Sequence, residues 1–600
     1  MLLIAGQSYG GKLGYVLSDG CISACVENSL ALSKHLTNIV NAFILHPNSI
    51  IMTHSFICPI ALIILWLGLS LAAAQAQTLP SWLSAQQVGG LDISSSFDIA
   101  TDAQGNIYQT GNFIGSLQVG GITISSTCES MYVIKYDAQG TPVWAKHTSH
   151  LFPGGTGAVG VGFAVAADAQ GNVYVLGIYS GFLAIENEPL ICPGYNTRVF
   201  LAKYDAAGNF LWVRQAGDDN YNRGMDLAVD NAGNVIISGY YSGTTLFAGN
   251  SFTSAGGEDI FLAKYTAQGD LVWVKSAGGP LDDSPLHIKT DISNNIYLIG
   301  EFGSSALFGT VGAIGYGGQD GFLAKYSPQG VETWVKTYGG TGRDYVDGII
   351  IEANGEMYLS GGFENTSYMG AQTLASQGGT DGFLLHCDAQ GNVLWARNIG
   401  GSGNESLGNL VVAPNGTLYS LINFNATLAF GSQILTAVGD DFLVLRHDSI
   451  GNVLWAAQGG GTGIKYVTGL VHTGNGKLAI GITFSGNVRF GSNSLTSRGK
   501  NDCALLHLQD NMPLSTRAQA NNPSLAVYPN PASTQQPLRI ELPATAKGTV
   551  RLLNTLGQVV RTQPLAVGKA AMSITGLAAG RYVVQVQTAT EILTRGVVIE

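Results

Sequence analysis

The spacing of tryptophan constrains this chain more than any other feature. Setting aside Trp66, the residues are Trp82, Trp144, Trp212, Trp273, Trp334, Trp395 and Trp455, separated by 62, 68, 61, 61, 61 and 60 positions. The stretches before them are near-copies, such as GGEDIFLAKYTAQGDLVWVK from Gly256, GGQDGFLAKYSPQGVETWVK from Gly317 and GGTDGFLLHCDAQGNVLWAR from Gly378. A fixed period of this length marks a propeller or a solenoid. Composition separates helical from β versions. Charged residues make up 12% of the chain while Gly reaches 81 of 600 residues. Solvent-facing helices need many Lys, Glu and Arg, so strands joined by Gly-rich turns are expected.

One copy, followed from Trp273, reads as WVK, the Gly-rich GGPLDDSP, then HIKTD and the turn ISNN. The strand IYLIGEF, a long loop SSALFGTVGAIGYGGQD, the strand GFLAKY and the turn SPQG follow before the next Trp. Four short strands per copy suit a four-stranded blade. The recurrent DAQGN (Asp102, Asp168, Asp388) and DAAGN (Asp205) are tight turns, in which Asp bonds its own backbone and Gly supplies a positive φ. They lack the alternating carboxylates and distal Glu of a calcium loop. The last copy, through NDCALLHLQDN from Asn501, never reaches a Trp of its own, and LPSWLSAQQ around Trp82 has no blade body before it. Pairing the two closes seven blades and removes an exposed sheet edge. The expectation is an all-β chain, a seven-bladed β-propeller over residues 77–512 followed by a small Ig-like β-sandwich. The Trp side chains are read as buried blade packing, and Asp259, Asp320, Asp381, Asp441 and Asp502 as residues that fix a loop.

The GG-x-D-x-F-L-A-K-Y-D-x-x-G-x-x-x-W unit resembles the seven-bladed β-propeller (SBBP) repeats of bacterial secreted proteins, over about residues 82–510. That resemblance implies the fold and no particular activity. After PLSTRAQANNPS, a polar linker over 513–524, the texture changes to alternating strands and turns. Tyr528, Pro529, Asn530 and Pro531 in YPNPA, LLNTLGQVV, L-x-x-G-x-Y with Gly580 and Tyr582, and a Thr-Arg-Gly-Val-Val finish resemble the C-terminal sorting domain of the Bacteroidetes type IX secretion system. Arg595 stands where many relatives have Lys. The resemblance, over residues 525–600, implies export by the type IX machinery to the medium or the outer cell surface.

The other end of the chain agrees with export. Residues 1–51 show no clear period and are read as an over-extended gene start. Residues 52–76 form a signal peptide, with an apolar run from Phe56 to Leu71 and an A-x-A site at Ala74 and Ala76, so no membrane span is expected after processing. GQSYG at Gly6 fits a hydrolase pattern but lies in the gene-start segment without a strand–helix context. Export permits disulfides, and Cys128 and Cys192 occupy corresponding loops of neighbouring repeats where a bridge is possible. Cys387 and Cys503 read as buried apolar residues. There is no C-x-x-C and no closely spaced His pair, so no metal and no cofactor are expected. A net charge of −11 without a basic run excludes nucleic acid as a partner.

Chemistry has to come from residues that break the repeat. LDDSPLHIK offers Asp282, Asp283 and His287, a carboxylate pair near an imidazole of the kind that serves acid–base chemistry on a sugar. His287 aligns with Asp98, Asp226 and Asn409, a polar position that varies between copies. Gly155-x-Gly157-x-x-Gly160 matches a dinucleotide fingerprint, but a strand follows it and no helix N-terminus is available. The long loops and the GG-x-x-D loops share one face, where Tyr221, Tyr241, Tyr316 and Tyr345 are candidates for binding a glycan or protein. Three functions are compatible with these residues: a surface propeller acting as a binding or adhesion scaffold, a propeller-type polysaccharide lyase or glycosidase, and a structural surface-layer component.

Overall fold

The computed structural model describes residues 80–511 and 525–599, apart from 153–156, 194–195, 219, 248 and 432 in the first stretch and 531, 534–535, 543–547, 555–558, 567, 579 and 589–591 in the second. The gene-start, signal-peptide and linker readings, with Ala74, Ala76 and Pro531, fall outside the described residues. All regular structure described is β, in antiparallel sheets with one parallel contact between strands. No helix among the described residues is long and apolar enough to cross a membrane.

One repeat shows how the sequence builds the unit. Ser284–Thr290 pairs with Ile296–Phe308, which pairs with Val311–Tyr326, which pairs with the Trp-bearing Glu332–Gly340. The tight turns are held as their chemistry requires. In the turn at Asp168, the carboxylate accepts the Gln170 and Asn172 amides at 3.0 and 2.9 Å and the Asn172 side chain at 2.7 Å.

The segment SSALFGTVGAIGYGGQD, expected as a long loop, is instead strand. Ile296–Phe308 and Val311–Tyr326 continue past a register shift at Gly303/Ser305 into a hairpin arm. The arm reaches back to the preceding repeat, where Phe308 and Leu307 pair with Ala277 and Gly278 of its Trp strand. The same arm contact recurs at Gly339↔Tyr368 and Gly459↔Phe490. Five of the seven Trp strands are therefore paired on both sides, while Phe210–Ala216 and Val393–Ile399 are paired along one side only among the described residues.

Ser81–Gly89 completes this pattern at the ends of the array. It pairs with Asp502–Gln509 of the last repeat along one side, and Val88 and Gly89 pair with the arm of the first repeat along the other. The first inner strand meets the last repeat directly, since the Ser96 amide donates to Thr483 Oγ1 at 2.8 Å and the Ser94 amide to the Asn501 carbonyl at 3.1 Å.

The Trp side chains sit at seams between repeats rather than in blade interiors. Only Trp455 is fully buried; the other six are half-buried. The indole N–H of Trp144, Trp212 and Trp273 donates to the carbonyl of Ala206, Ala267 and Pro328 in the turn of the next repeat. The glycine of that turn is needed twice over. Gly208 has φ +85°, and a Cβ there would lie 2.9 Å from the Trp144 ring. Gly451 and Trp395 repeat the arrangement at φ +84° and 2.6 Å. Trp and Gly recur together because each occupies the space the other leaves.

From Ala526 onward the chain forms two antiparallel sheets of three and four strands. Val527, Leu538, Ile540, Val550, Leu552, Val584, Val586 and Val597 bury one core between them. Asn530 Oδ1 accepts the Val598 amide at 2.9 Å, tying the YPNPA segment to the last strand. Tyr582 is half-buried, its hydroxyl on the Ala578 carbonyl at 2.9 Å, while Tyr528 is exposed and Gly580 begins the strand Gly580–Thr588.

Candidate functional site

The innermost strand of each repeat carries a β-bulge at one height. Register shifts fall at Ser96/Asp98, Gly224/Asp226, Pro285/His287 and Val346/Gly348, among others. A bulge inserts one residue, breaks the alternation of faces and re-aims a side chain. Here it turns Asp98, Asp226, His287 and Asp347 toward a common cavity of about 260 Å³, with Lys289 and Asn409 also in its wall. Ser94–Thr101, Val159–Ala167, Asn222–Val229, Ser284–Thr290, Tyr345–Ile351, Glu405–Val412 and Lys465–Gly474 all contribute to the lining.

The polar groups are tied across strands. Asp226 Oδ2 accepts the Ile288 amide at 2.9 Å and faces His287 Nδ1 at 3.0 Å. His287 Nε2 lies 3.6 Å from Asp347 Oδ1, so the imidazole is bracketed by two carboxylates. Asp98 Oδ2 accepts the Val165 amide at 2.9 Å. These contacts sort the charges. Burial and the neighbouring Asp226 charge push Asp98 up to about 7. Burial also works against ionisation of Asp226, but Lys289 and His287 outweigh it and hold that carboxyl below its usual range. Burial disfavours the His287 imidazolium, yet Asp226 and then Asp347 raise its pKa above the ordinary imidazole value. Burial raises Asp347, with His287 opposing. The site can therefore donate and accept hydrogen bonds and exchange protons near neutral pH.

A pH-dependent stability follows for Asp98. Between its unfolded value of 3.8 and about 7 the folded protein binds more protons at this group than the unfolded chain does. Its contribution to stability is therefore complete at low pH and declines as pH rises through that window. Asp98→Asn removes the decline while keeping an acceptor for Val165. Scanning calorimetry of the variant should show little change near pH 4 and a gain of about 1–3 kcal/mol at pH 8, allowing for water in the cavity.

The residues singled out in the sequence divide. Asp283 is wholly buried, and its oxygens accept the Gly279 amide at 2.6 Å and the Gly303 amide at 3.2 Å. Asp344 and Glu405 hold Gly340 and Gly401 in the same way one and two repeats later, which makes this a recurrent loop clamp. Asp282 is exposed and accepts the Glu258 amide at 3.0 Å. His287 alone of the three reaches the cavity, and its carboxylate partners are Asp226 and Asp347.

The four tyrosines do not form one patch, and among the described residues none of their rings contacts another of the four. Tyr241 is buried, not exposed, because both faces of the strand are covered over residues 235–241, and its hydroxyl lies 2.6 Å from Ser276 Oγ. Tyr221 is exposed beside Tyr240, and Tyr316 is exposed beside Tyr368. Tyr345 lies under the Arg343 guanidinium and donates to Ser406 Oγ at 2.7 Å. Cys128 and Cys192 form no disulfide. Both are buried thiols in one apolar cluster, Cys128 among the Ser126 and Ser130 hydroxyls and Cys192 toward the Asn196 carbonyl. Asp259, Asp320, Asp381, Asp441 and Asp502 accept the amides of Ala255, Tyr316, Gln377, Val438 and Arg498 at 2.8–3.1 Å.

The sequence reading passed over Asp347, which lines the cavity. Outside that lining, Phe97 and Phe163 meet at 5.1 Å in a tilted contact one residue before Asp98 and Ala164, and the Arg223 guanidinium lies 4.3 Å over Phe163. The signal available was the interval of 61 or so residues between polar positions on successive inner strands.

Residues 526–600 match the family described as the secretion system C-terminal sorting domain. Among curated proteins, the chain is 23% identical over 412 residues to an uncharacterized WD repeat-containing protein, L264, of Acanthamoeba polyphaga mimivirus, covering 54% of this chain and 29% of that protein. It is 30% identical over 213 residues to the regulatory protein FlaEY of Caulobacter vibrioides, covering 34% and 22%. The chain thus spans less than a third of the length of either relative. Among solved structures, it is similar to PorZ, a surface component of the type IX secretion system of Porphyromonas gingivalis, at 12% identity and a TM-score of 0.19, covering 87% of this chain and 85% of that one. A polysaccharide lyase of family PL25 gives 12% identity and a TM-score of 0.29, covering 53% and 79%. Neither likeness bears on what this chain binds.

Proposed function

From a chain that ends in a sorting domain of the type IX secretion system, and is secreted or held at the outer cell surface, we propose a displayed binding module. In this reading the repeats are the blades of a seven-bladed propeller of SBBP type, and the cavity on its inner strands receives the terminal residue of a neutral saccharide. The carrying observation is the convergence of Asp98, Asp226, His287, Lys289 and Asp347 on one cavity. Seven inner strands in its wall support the blade count.

Size and charge narrow the ligand. At about 260 Å³ the cavity is smaller than the roughly 300–1,000 Å³ usual for drug-sized ligands, so it suits a chain end rather than a length of polymer. Three aspartates against one lysine and one histidine disfavour a polyanion. Hydroxyl groups, by contrast, donate to carboxylates and accept from ammonium and imidazolium groups. A hydrolytic reading has one observation in its favour, the His287–Asp226 pair beside Asp98 with its pKa near 7.

One assay separates these readings. The full chain is incubated with neutral oligosaccharides and with uronate polymers, and retained protein and released sugar ends are measured in the same wells. Retention on neutral sugars without release is expected, weakened about 10- to 100-fold by Lys289→Ala or His287→Ala, as loss of a charge-assisted hydrogen bond implies. Release of sugar ends overturns the proposal in favour of an enzyme, and retention only on uronates overturns the choice of a neutral saccharide. Silence in every well transfers the role to a protein partner.

A further inference from the structure

The repeat carries its own control for a second site. On the turn face, four copies hold the same three residues: Asp102, Asn106 and Lys135; Asp168, Asn172 and Lys203; Asp230, Asn234 and Lys264; Asp291, Asn295 and Lys325. The set is self-sufficient. Asp230 receives the Lys264 ammonium at 2.8 Å and the Asn234 side chain at 2.9 Å, so one negative charge meets one positive charge and a neutral donor. In the next copy all three residues change together, to Glu352, Glu356 and His386. The ammonium and the amide donor are gone, and two carboxylates and an imidazole stand in their place.

The geometry of this copy is that of a ligand set. One ligand atom from each of the three residues lies within 4.8 Å of the others, and all three side chains are half-buried. Tetrahedral ligands at roughly 2.1 Å from zinc lie about 3.4 Å apart, and His386 Nε2 is 3.3 Å from Glu356 Oε2. Nε2 is closed off from solvent and makes no hydrogen bond of acceptable geometry. The ring cannot swing to find one. It is stacked on Tyr358 at 4.6 Å and 19° and packed against Trp395 at 5.5 Å. The imidazole nitrogen thus faces the Glu356 carboxylate, with a Glu352 ligand atom within the same 4.8 Å.

We propose that Glu352, Glu356 and His386 bind a divalent first-row transition ion, with zinc the best match. A dication supplies the positive charge that Lys264 brings to Asp230 and Lys203 to Asp168 in two of the sister copies. The mixed nitrogen and oxygen donors favour it over calcium, which takes oxygen ligands alone. Three protein ligands leave a coordination position for water or for a group on a partner.

The test uses the full chain carrying a tag without histidine, stripped of metal and titrated with Zn²⁺ by calorimetry. One Zn²⁺ per chain is expected, with a rise in Tm, and Co²⁺ should give the visible absorption of a low-symmetry site with nitrogen and oxygen donors. The double variant H386K/E356N installs the Asn and Lys that the four sister copies carry beside a retained carboxylate, so it should fold as well as the parent. Its affinity should fall by more than the roughly 10- to 100-fold that loss of an outer-shell partner costs. Glu352→Gln, a near-isosteric second variant, should weaken binding in the same direction. Absence of binding by the parent, equal affinity in H386K/E356N, or Ca²⁺ binding as tight as Zn²⁺ overturns the assignment.

Discussion

Deletion of Ser81–Gly89 is expected to abolish the cooperative thermal transition of the repeat array and to drive the protein into aggregates. The segment pairs at seven positions with Asp502–Gln509 and at two with Ile107–Val119, so its loss bares a strand edge in the last repeat and the arm of the first. Unpaired edges of this length are templates for association. Trp82 also leaves with it, taking its edge contacts to Phe442 and Phe490 at 6.2 and 5.7 Å. Trp82→Ala isolates that part and should cost about 3 kcal/mol, the low end for a large aromatic because the indole is only half-buried. Calorimetry and size-exclusion chromatography read both effects. An unchanged transition in the deletion variant would mean that the array does not depend on closure by this strand.

Asp510→Ala should be the most damaging single substitution in the repeats, at about 3–5 kcal/mol. The reason lies in how the seams are made. At three other seams the Trp indole donates to a backbone carbonyl in the following turn, and so does the Lys of the FLAKY strand at positions 135, 203 and 264. After Gln509 the chain makes no turn into a Trp strand of its own. The Asp510 carboxylate takes that part, accepting Arg446 and Tyr419 at 2.7 Å each and the Trp455 indole at 3.3 Å. Both ion-pair side chains are almost wholly buried, so removing the carboxylate strands a guanidinium away from water. A drop in Tm of several degrees is expected. Arg446→Met in the same background should restore part of it, because the stranded charge goes too. If Arg446→Met makes Asp510→Ala worse, the loss comes from Tyr419 and Trp455 instead.

What the sequence made legible follows from which interactions are local. DAQGN turns hold themselves with their own Asp, and the 61-residue interval is covalent, so strands and repeat could be read directly. The pairing of Ser81–Gly89 with the last repeat could be read because each lacked what the other had. The hairpin arms could not, since SSALFGTVGAIGYGGQD is rich in Gly and Ser and becomes strand only when Phe308 and Leu307 find the preceding Trp strand. Tyr241 and Tyr221 look alike in sequence, and only the packing that covers both faces of residues 235–241 tells which one is inside. The cavity was half visible. Asp98, Asp226, His287 and Asn409 stood out as one polar position that varies between copies, without a sign that they share a cavity. The bulges that turn these residues inward and the convergence of the inner strands are both nonlocal, and together they make drifting positions into one cluster. Asp283 shows the reverse error, a carboxylate with a suggestive neighbour whose two oxygens are already occupied by backbone amides.

The measurement that bears most directly on the proposed function is amide hydrogen exchange on the full chain, with and without the neutral saccharide it retains. Protection should appear on the inner strands, at Ser94–Thr101, Val159–Ala167, Asn222–Val229, Ser284–Thr290 and Tyr345–Ile351, where Val165 and Ile288 amides already bond the cavity carboxylates. Protection confined to the exposed Tyr316 and Tyr368 pair, with the inner strands unchanged, would contradict the account and place the ligand on the outer surface of the repeats.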